Sequence, residues 1–170
     1  MMPPSESQIS KRKVKKIVGR AERVVFPDID VMAKVPARID TGAATSALWA
    51  SNMRELSDGG LEFTLFGPSS KHFTNQRIVV NHFERRVVAS SIGEAQTRYV
   101  IKLLVKLKGK KVNAQFSLAD RSKQVYPVLI GRNVLRGRFL VDVKTGKPLT
   151  EAERRRHEEL QSTLENGGRL

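Results

Sequence analysis

The sequence predicts a mainly all-β chain folded as a small barrel or sandwich, and three observations carry this. Short apolar runs rich in Val, Ile, Leu and Phe recur between residues 23 and 143, separated by turn-forming residues. Leu61-Glu62-Phe63-Thr64-Leu65-Phe66 alternates apolar with polar residues, the period of a half-buried strand. Lys108-Gly109-Lys110 separates two long apolar runs in the manner of a hairpin turn.

Taken in order, residues 1–22 read as a flexible basic arm. Strands are expected over 23–26 and 31–39, and again after a cluster of small residues that ends near Ser46. Further strands are expected over 61–66, 76–80, 85–90, 98–107, 111–118, 125–130 and 139–143. Two helices interrupt the pattern. Residues 132–135 follow Gly131 and are stopped by Gly137. Thr150 and Glu153 have capping-box spacing, so a charged helix is expected from there to about residue 164, ending at Asn166-Gly167-Gly168. The chain thus divides into an arm (1–22), one folded domain (23–145) and a C-terminal charged helix and tail (146–170). No long-period repeat or low-complexity block is present.

With 170 residues, 39% of them hydrophobic, the chain has one domain's worth of core. There is no cysteine, which excludes a disulfide framework and a thiolate metal site and fits a reducing compartment. No apolar stretch follows the N-terminal basic residues, and no run of about 18 apolar residues occurs. The expectation is a cytoplasmic protein with no membrane segment. The net charge is +14; residues 1–24 contribute +5, residues 145–170 contribute zero, and the middle keeps +9. A basic folded region points to a polyanionic partner: nucleic acid, a ribosomal surface or an acidic peptide. A generically solvated basic surface would give the same balance.

The chemistry concentrates in Ala37-Arg38-Ile39-Asp40-Thr41-Gly42-Ala43-Ala44-Thr45-Ser46-Ala47-Leu48. A carboxylate stands at a strand end. Gly42 permits close backbone approach, the small residues leave room for substrate, and the Thr41 hydroxyl is able to lock the loop. By itself Asp-Thr-Gly also describes a plain turn. About 90 residues downstream lies Tyr126-Pro127-Val128-Leu129-Ile130-Gly131-Arg132-Asn133-Val134-Leu135, an apolar strand, a Gly-Arg-Asn step and an apolar helical turn.

An Asp-Thr-Gly loop followed at this separation by apolar-apolar-Gly-Arg-Asn resembles the retropepsin family of aspartic peptidases. The resemblance spans about residues 24–145. It narrows, through Ser46-Ala47-Leu48, Arg86-Val87-Val88-Ala89-Ser90-Ser91-Ile92-Gly93, Arg98 and Pro127-Val128-Leu129-Ile130-Gly131-Arg132, to a bacterial subgroup. Members of that subgroup commonly carry the label of ATP-dependent zinc protease, and some are associated with a ligase that adds glutamate tails to a ribosomal protein. The resemblance implies a small closed acid-protease barrel in which the second motif passes beneath the catalytic loop. It implies Asp40 as catalytic residue, Thr41, Gly42 and Ala43 as loop support, and Gly131 and Arg132 as structural support. It also implies trimming of such tails, possible for a basic protein. The sequence departs from the subgroup at Ala89 and Gln96, where a basic and an acidic residue are usual, and at Tyr126, where another aromatic is common; these bear on substrate preference more than on fold.

The zinc label does not fit the residues. A zinc site needs three or four ligands, and the histidines are His72, His82 and His157 alone. His157-Glu158-Glu159-Leu160-Gln161 has Gln where a helical zinc motif needs its second His, and no Gly-Lys-Ser/Thr loop supports ATP binding. No metal or cofactor is expected.

Aspartic proteolysis uses two carboxylates sharing one proton. This chain has one Asp-Thr-Gly; Asp58-Gly59 lacks the Thr and reads as a turn. The second carboxylate is therefore expected from a second copy across a two-fold axis, a homodimer. A hairpin over residues 86–99, with Ser90, Ser91, Ile92 and Gly93 at its tip, is the candidate flap, and an ordinary hairpin is the alternative. Arg86 and Arg98 on its two arms, with Lys71 or Arg38, are candidates for binding substrate carboxylates; pairing within the domain is the alternative. The expected partner is an acidic peptide or protein, a ribosomal protein among the candidates, with nucleic acid not required. The competing reading is a non-catalytic module of the same fold that binds ribosome, RNA or acidic protein through its basic face.

Overall fold

The computed structural model describes residues 14–29, 34–89, 95–146 and 151–167. Eleven strands and two helices are present among them. The first strands are β1 (Lys16–Val18), β2 (Ala21–Val25), β3 (Val35–Ile39), β4 (Ser46–Glu55) and β5 (Leu61–Leu65). Then come β6 (Arg77–Val80), β7 (Glu84–Ala89), β8 (Ala95–Leu107) and β9 (Lys110–Ala119). The chain continues through β10 (Val128–Ile130), α1 (Arg132–Leu135), β11 (Phe139–Val141) and α2 (Glu151–Gly167).

Six strands close a ring. β10 lies parallel to β3, β3 antiparallel to β2, β2 to β8 and β8 to β9; β9 runs parallel to β4, and β4 returns antiparallel to β10. A closed ring leaves no edge unpaired around its circumference. The expected all-β closed barrel is the fold observed. β5 and β6 extend from β4, and β7 pairs with the first half of β8. Inside the ring the apolar residues of alternating strands meet, Phe26 and Phe116 edge to face at 5.4 Å.

Two expectations need correction. The arm assigned to residues 1–22 reaches into the fold: Lys16–Val18 is a strand, paired in parallel with β11, and Val18 is buried in the core. That pairing joins residues more than 120 positions apart, and local pattern does not reveal it. The strand at 61–66 is not half-buried, because every residue of Leu61–Leu65 is buried. β5 is covered on both sides of its pleat, and its polar members find partners. Glu62 accepts bonds from Arg54 Nε at 2.7 Å and Arg77 Nε at 2.8 Å, and Thr64 Oγ1 lies 2.9 Å from Ser51 Oγ. Buried polar groups persist when paired in this way.

Within the described residues the remaining expected strands match to a few residues; positions 31–33 and 90 of those expectations lie outside them. The predicted Thr150 cap lies outside the described residues, as do Ser90, Ser91, Ile92 and Gly93. No described helix is long and apolar enough to cross a membrane.

Candidate active site

The segment 130–133 is laid along the loop 40–46 and bonds to it at nearly every step. Asp40 N–H donates to Ile130 O at 2.9 Å, Arg132 N–H to Ala43 O at 2.8 Å, and Asn133 N–H to Ala44 O at 3.2 Å. The contact is so close that a Cβ on Gly131 would stand 2.7 Å from Thr45 O and 2.9 Å from Ala43 O. Only glycine fits there. Side chains complete the brace. Arg132 Nη1 donates to Gly42 O at 2.6 Å and Thr41 O at 3.3 Å. Asn133 Oδ1 accepts from Ser46 N–H at 3.0 Å and Ser46 Oγ at 2.8 Å, its Nδ2 donates to Gln115 O at 2.7 Å, and Gly131 N–H donates to Ser46 Oγ at 3.0 Å.

Within this frame Asp40 Oδ1 accepts the N–H of Gly42 at 2.9 Å and of Ala43 at 3.2 Å. Two bonds on one oxygen hold the carboxylate in a single orientation, and among the described residues Oδ2 has no hydrogen bond. A Cβ on Gly42 would come 3.2 Å from Oδ1, so the glycine also makes room for the carboxylate. Asp40 is half-buried, and Thr41 and Gly42 are exposed. Thr41 ties the loop through its carbonyl to Arg132; among the described residues its hydroxyl has no hydrogen bond. Asp58 accepts Gly60 N–H in the same way, at 3.0 Å, but it is exposed in a tight turn with Gly59 at φ +87°.

The basic residues separate into two groups. Arg86 is engaged, donating to Glu84 at 2.6 Å and to Gln115 at 3.0 Å. Arg85 is bound to Glu55 in the same way. Lys71 lines a cavity of about 320 Å³ with Trp49, Pro127 and Arg155 of α2, a different place from the Asp40 loop. Arg98, directly opposite Arg86 across the β7–β8 hairpin, meets Gln96 Oε1 at 3.2 Å, a neutral partner. Arg38 is exposed two residues before Asp40.

Sequence reading missed Arg121. Its Nε donates to Tyr126 O at 3.0 Å. Burial pushes its guanidinium below its ordinary pKa; the neighbouring charges of Arg98 and then Arg38 push the same way, and Asp40 opposes them. The signal available was an Asp-Arg step at the end of an apolar strand, which carries no spatial information. Ser46 was likewise quoted only as part of a motif, although its side chain is the centre of the brace.

His72 is half-buried with its ring 5.7 Å from that of Phe66, while His82 and His157 are exposed. Among the described residues no three His, Asp or Glu side chains gather as a metal site.

One carboxylate held this way is able to accept or deliver a proton. The two-proton bookkeeping of peptide hydrolysis needs a second acidic group beside it.

Comparison with known proteins agrees with this geometry. The family model described as RimB-like, retropepsin-like aspartic endopeptidase RimB, matches residues 17–147. A protein of Shewanella pealeana named "Probable alpha-L-glutamate ligase" is 33% identical over 131 residues, covering 74% of this chain. One of the same name from Desulfotalea psychrophila is 29% identical over 131 residues, covering 75%. In both cases the match takes up 28% of the relative's own length. A crystal structure from Legionella pneumophila, Lpg0085, a protein of unknown function, superposes with a TM-score of 0.55 at 25% identity, covering 78% of this chain and 96% of that one. The braced Asp-Thr-Gly loop, the closed barrel and the family match over residues 17–147 together make this chain a member of the RimB-like family of retropepsin-like aspartic endopeptidases.

Proposed function

We propose that this chain is one half of an aspartic peptidase, in which two copies bring their Asp40 carboxylates together and hydrolyse peptide bonds in acidic protein segments, oligoglutamate tails among them. The observation that carries this is the state of Asp40: Oδ1 is pinned by Gly42 and Ala43 while Oδ2 is left for chemistry. With a second Asp40 adjacent, the pair holds one proton between them. The ionised member takes a proton from water as the water oxygen bonds to the scissile carbonyl carbon. The protonated member gives its proton to the carbonyl oxygen. As that adduct collapses, one of its hydroxyls returns a proton to the ionised carboxylate, the C–N bond breaks and the amine leaves with the proton of the other carboxyl, which restores the singly protonated pair.

The surface supports a second copy. Ile17 of β1 and Leu140 of β11 are paired in register, so they share one face, and they are 58% and 53% exposed. A cavity lined by Thr41, Arg132, Leu135 and Phe139 joins that two-stranded sheet to the catalytic loop. The relatives named as glutamate ligases support an acidic substrate, since they carry a region like this chain within a larger protein.

The test is incubation of wild type and Asp40→Asn with glutamate-tailed and untailed peptides, read by mass spectrometry. Cleavage by wild type alone is expected. Equal cleavage by both would remove Asp40 from the mechanism. Binding without cleavage by either would favour a non-catalytic module that holds acidic chains.

A further inference from the structure

We propose that Gln115 is a positioning residue that ties the arms of the β7–β8 hairpin to the Asp40 loop, so that the setting of the Asp40 carboxylate depends on the hairpin base. The inference rests on the reading of Asp40 as the peptidase carboxylate, and adds a residue through which its orientation is controlled.

Gln115 uses both ends of its side chain. Nε2 donates to Glu84 Oε1 at 3.0 Å, and Oε1 accepts from Arg86 Nη2 at 3.0 Å. Arg86 Nη2 also donates to Glu84 Oε2 at 2.6 Å, which closes a triangle of three side chains. Glu84 and Arg86 are two apart on β7, so they share a face of the sheet. Glu84 is registered with Val100 of β8, and Val100 with Ser117 of β9, two residues beyond Gln115. The bridge therefore passes over β8, and Val100 beneath it is 3% exposed. An amide suits the middle of this bridge because it offers a donor to Glu84 and an acceptor to Arg86. A carboxylate there would repel Glu84, and an ammonium would repel Arg86.

The backbone of the same residue carries the link onward. β4 pairs with β9 only from Phe116, so among the described residues no strand stands beside Gln115 on that edge. Asn133 Nδ2 takes the place and donates to Gln115 O at 2.7 Å. Asn133 then reaches the Asp40 loop twice: its Oδ1 accepts from Ser46 N–H and Oγ, and its own N–H donates to Ala44 O. Ser46 Oγ in turn accepts Gly131 N–H. From Glu84 to Ala44 and Ser46 the contacts are unbroken, each a hydrogen bond of 3.2 Å or less.

A continuous path of this kind is able to pass a change at one end to the other. Stability is a poor account of it, since the Glu84 and Arg86 side chains are 54% and 39% exposed and ion pairs at such a surface contribute little. A second anchor of the same hairpin gives the contrast. Arg85 and Tyr99, opposite each other on the two arms, both bond to Glu55, Tyr99 Oη at 3.0 Å. Glu55 ends β4 at the extremity away from Ser46. That anchor holds the hairpin without leading to the Asp40 loop.

The test reads hydrogen exchange of single backbone amides by NMR in the full-length chain, which needs no substrate. Ser46 and Gly131 N–H report the brace of the Asp40 loop; amides of the β8–β9 ladder about Val105 and Val112 report the barrel. Gln115→Met removes the bridge and keeps the Gln115 carbonyl. It is expected to speed exchange at Ser46 and Gly131 by roughly tenfold and to leave the ladder unchanged. Glu84→Ala, at an exposed position, should act the same way. Exchanging the charges, Glu84→Arg together with Arg86→Glu, lets the Gln115 amide turn over and bond again, and should restore the wild-type rates; Glu84→Arg alone should not. Glu55→Ala releases the other anchor and should leave Ser46 and Gly131 as they are. Unchanged exchange at Ser46 and Gly131 in Gln115→Met would overturn the link. Equal acceleration in Glu55→Ala, or in the ladder, would assign the effect to general loosening and overturn it too. With a glutamate-tailed peptide, Gln115→Met should lower kcat by roughly tenfold with little change in KM. Cleavage by wild type with kcat untouched in Gln115→Met would leave the peptidase standing and remove the positioning role. Accelerated exchange with no cleavage by wild type would keep the link and remove the peptidase.

Discussion

Asn133 and Ser46, 87 residues apart in sequence, are joined by two hydrogen bonds through one oxygen: Asn133 Oδ1 accepts both the N–H and the Oγ–H of Ser46. The Ser46 hydroxyl then accepts Gly131 N–H, and Asn133 Nδ2 donates to Gln115 O. Four groups near the Asp40 loop therefore depend on one amide. Asn133→Ala would take from the Ser46 N–H and Oγ–H their shared acceptor and from Gln115 O its side-chain donor, at a cost of about 2–3 kcal/mol. Urea denaturation should show a lower midpoint with an unchanged slope. Asn133→Asp keeps the acceptor and loses the donor, and should fall between the two.

Gly131→Ala tests the close approach of the two motifs. The new methyl would meet the backbone of Thr45 and Ala43 rather than a flexible side chain, so relief requires the Asp40 loop to move. Overpacking of this kind costs about 1–3 kcal/mol. Activity should fall further than stability does, because the displaced loop carries the carboxylate. The expected result is a folded protein by circular dichroism with little peptidase turnover.

Much of the site was legible because its signals are local. Asp40-Thr41-Gly42 and Ile130-Gly131-Arg132-Asn133 are contiguous stretches, and their close mutual bracing requires those residue types in that order. The barrel was legible as a count of short apolar runs. What escaped was set by distant contacts. β1 was hidden because its two apolar residues, Ile17 and Val18, follow a basic run and make too short a pattern, and because it pairs with the distant Phe139–Val141. Arg121 carries no signal in sequence; what sets it apart is its bond to Tyr126 O and its partial burial. The alternation in β5 was real, but alternation reports polarity and not exposure. Glu62 is inside because Arg54 and Arg77 flank it.

Glu62 also sets an acid limit on the fold. Hydrogen bonds from Arg54 and then Arg77 hold its carboxyl down at about 2, from an ordinary 4.5, against the opposing effect of burial. The unfolded chain therefore binds a proton at this position at a higher pH than the folded one. Stability from this group is complete above pH 4.5 and is lost as pH falls toward 2. Glu62→Gln should lower stability at neutral pH and flatten its decline across that interval, as read by thermal unfolding at a series of pH values. An unchanged acid slope in the variant would place the limit on other carboxylates.

The two-carboxylate reading makes its sharpest demand on Ile17 and Leu140. They lie side by side on one face of the two-stranded sheet, 58% and 53% exposed. Apolar residues this exposed and this close together resemble a covered surface more than a solvated one. Leu140→Asp places a charge in any contact made there without touching the Asp40 loop. Sedimentation velocity should show a shift toward monomer, and specific activity should become steeply dependent on protein concentration. Mixing wild type with excess Asp40→Asn should depress activity through mixed dimers, each holding one intact carboxylate. Activity of Leu140→Asp that stays constant down to concentrations where the chain is monomeric would mean that one Asp40 works without the other.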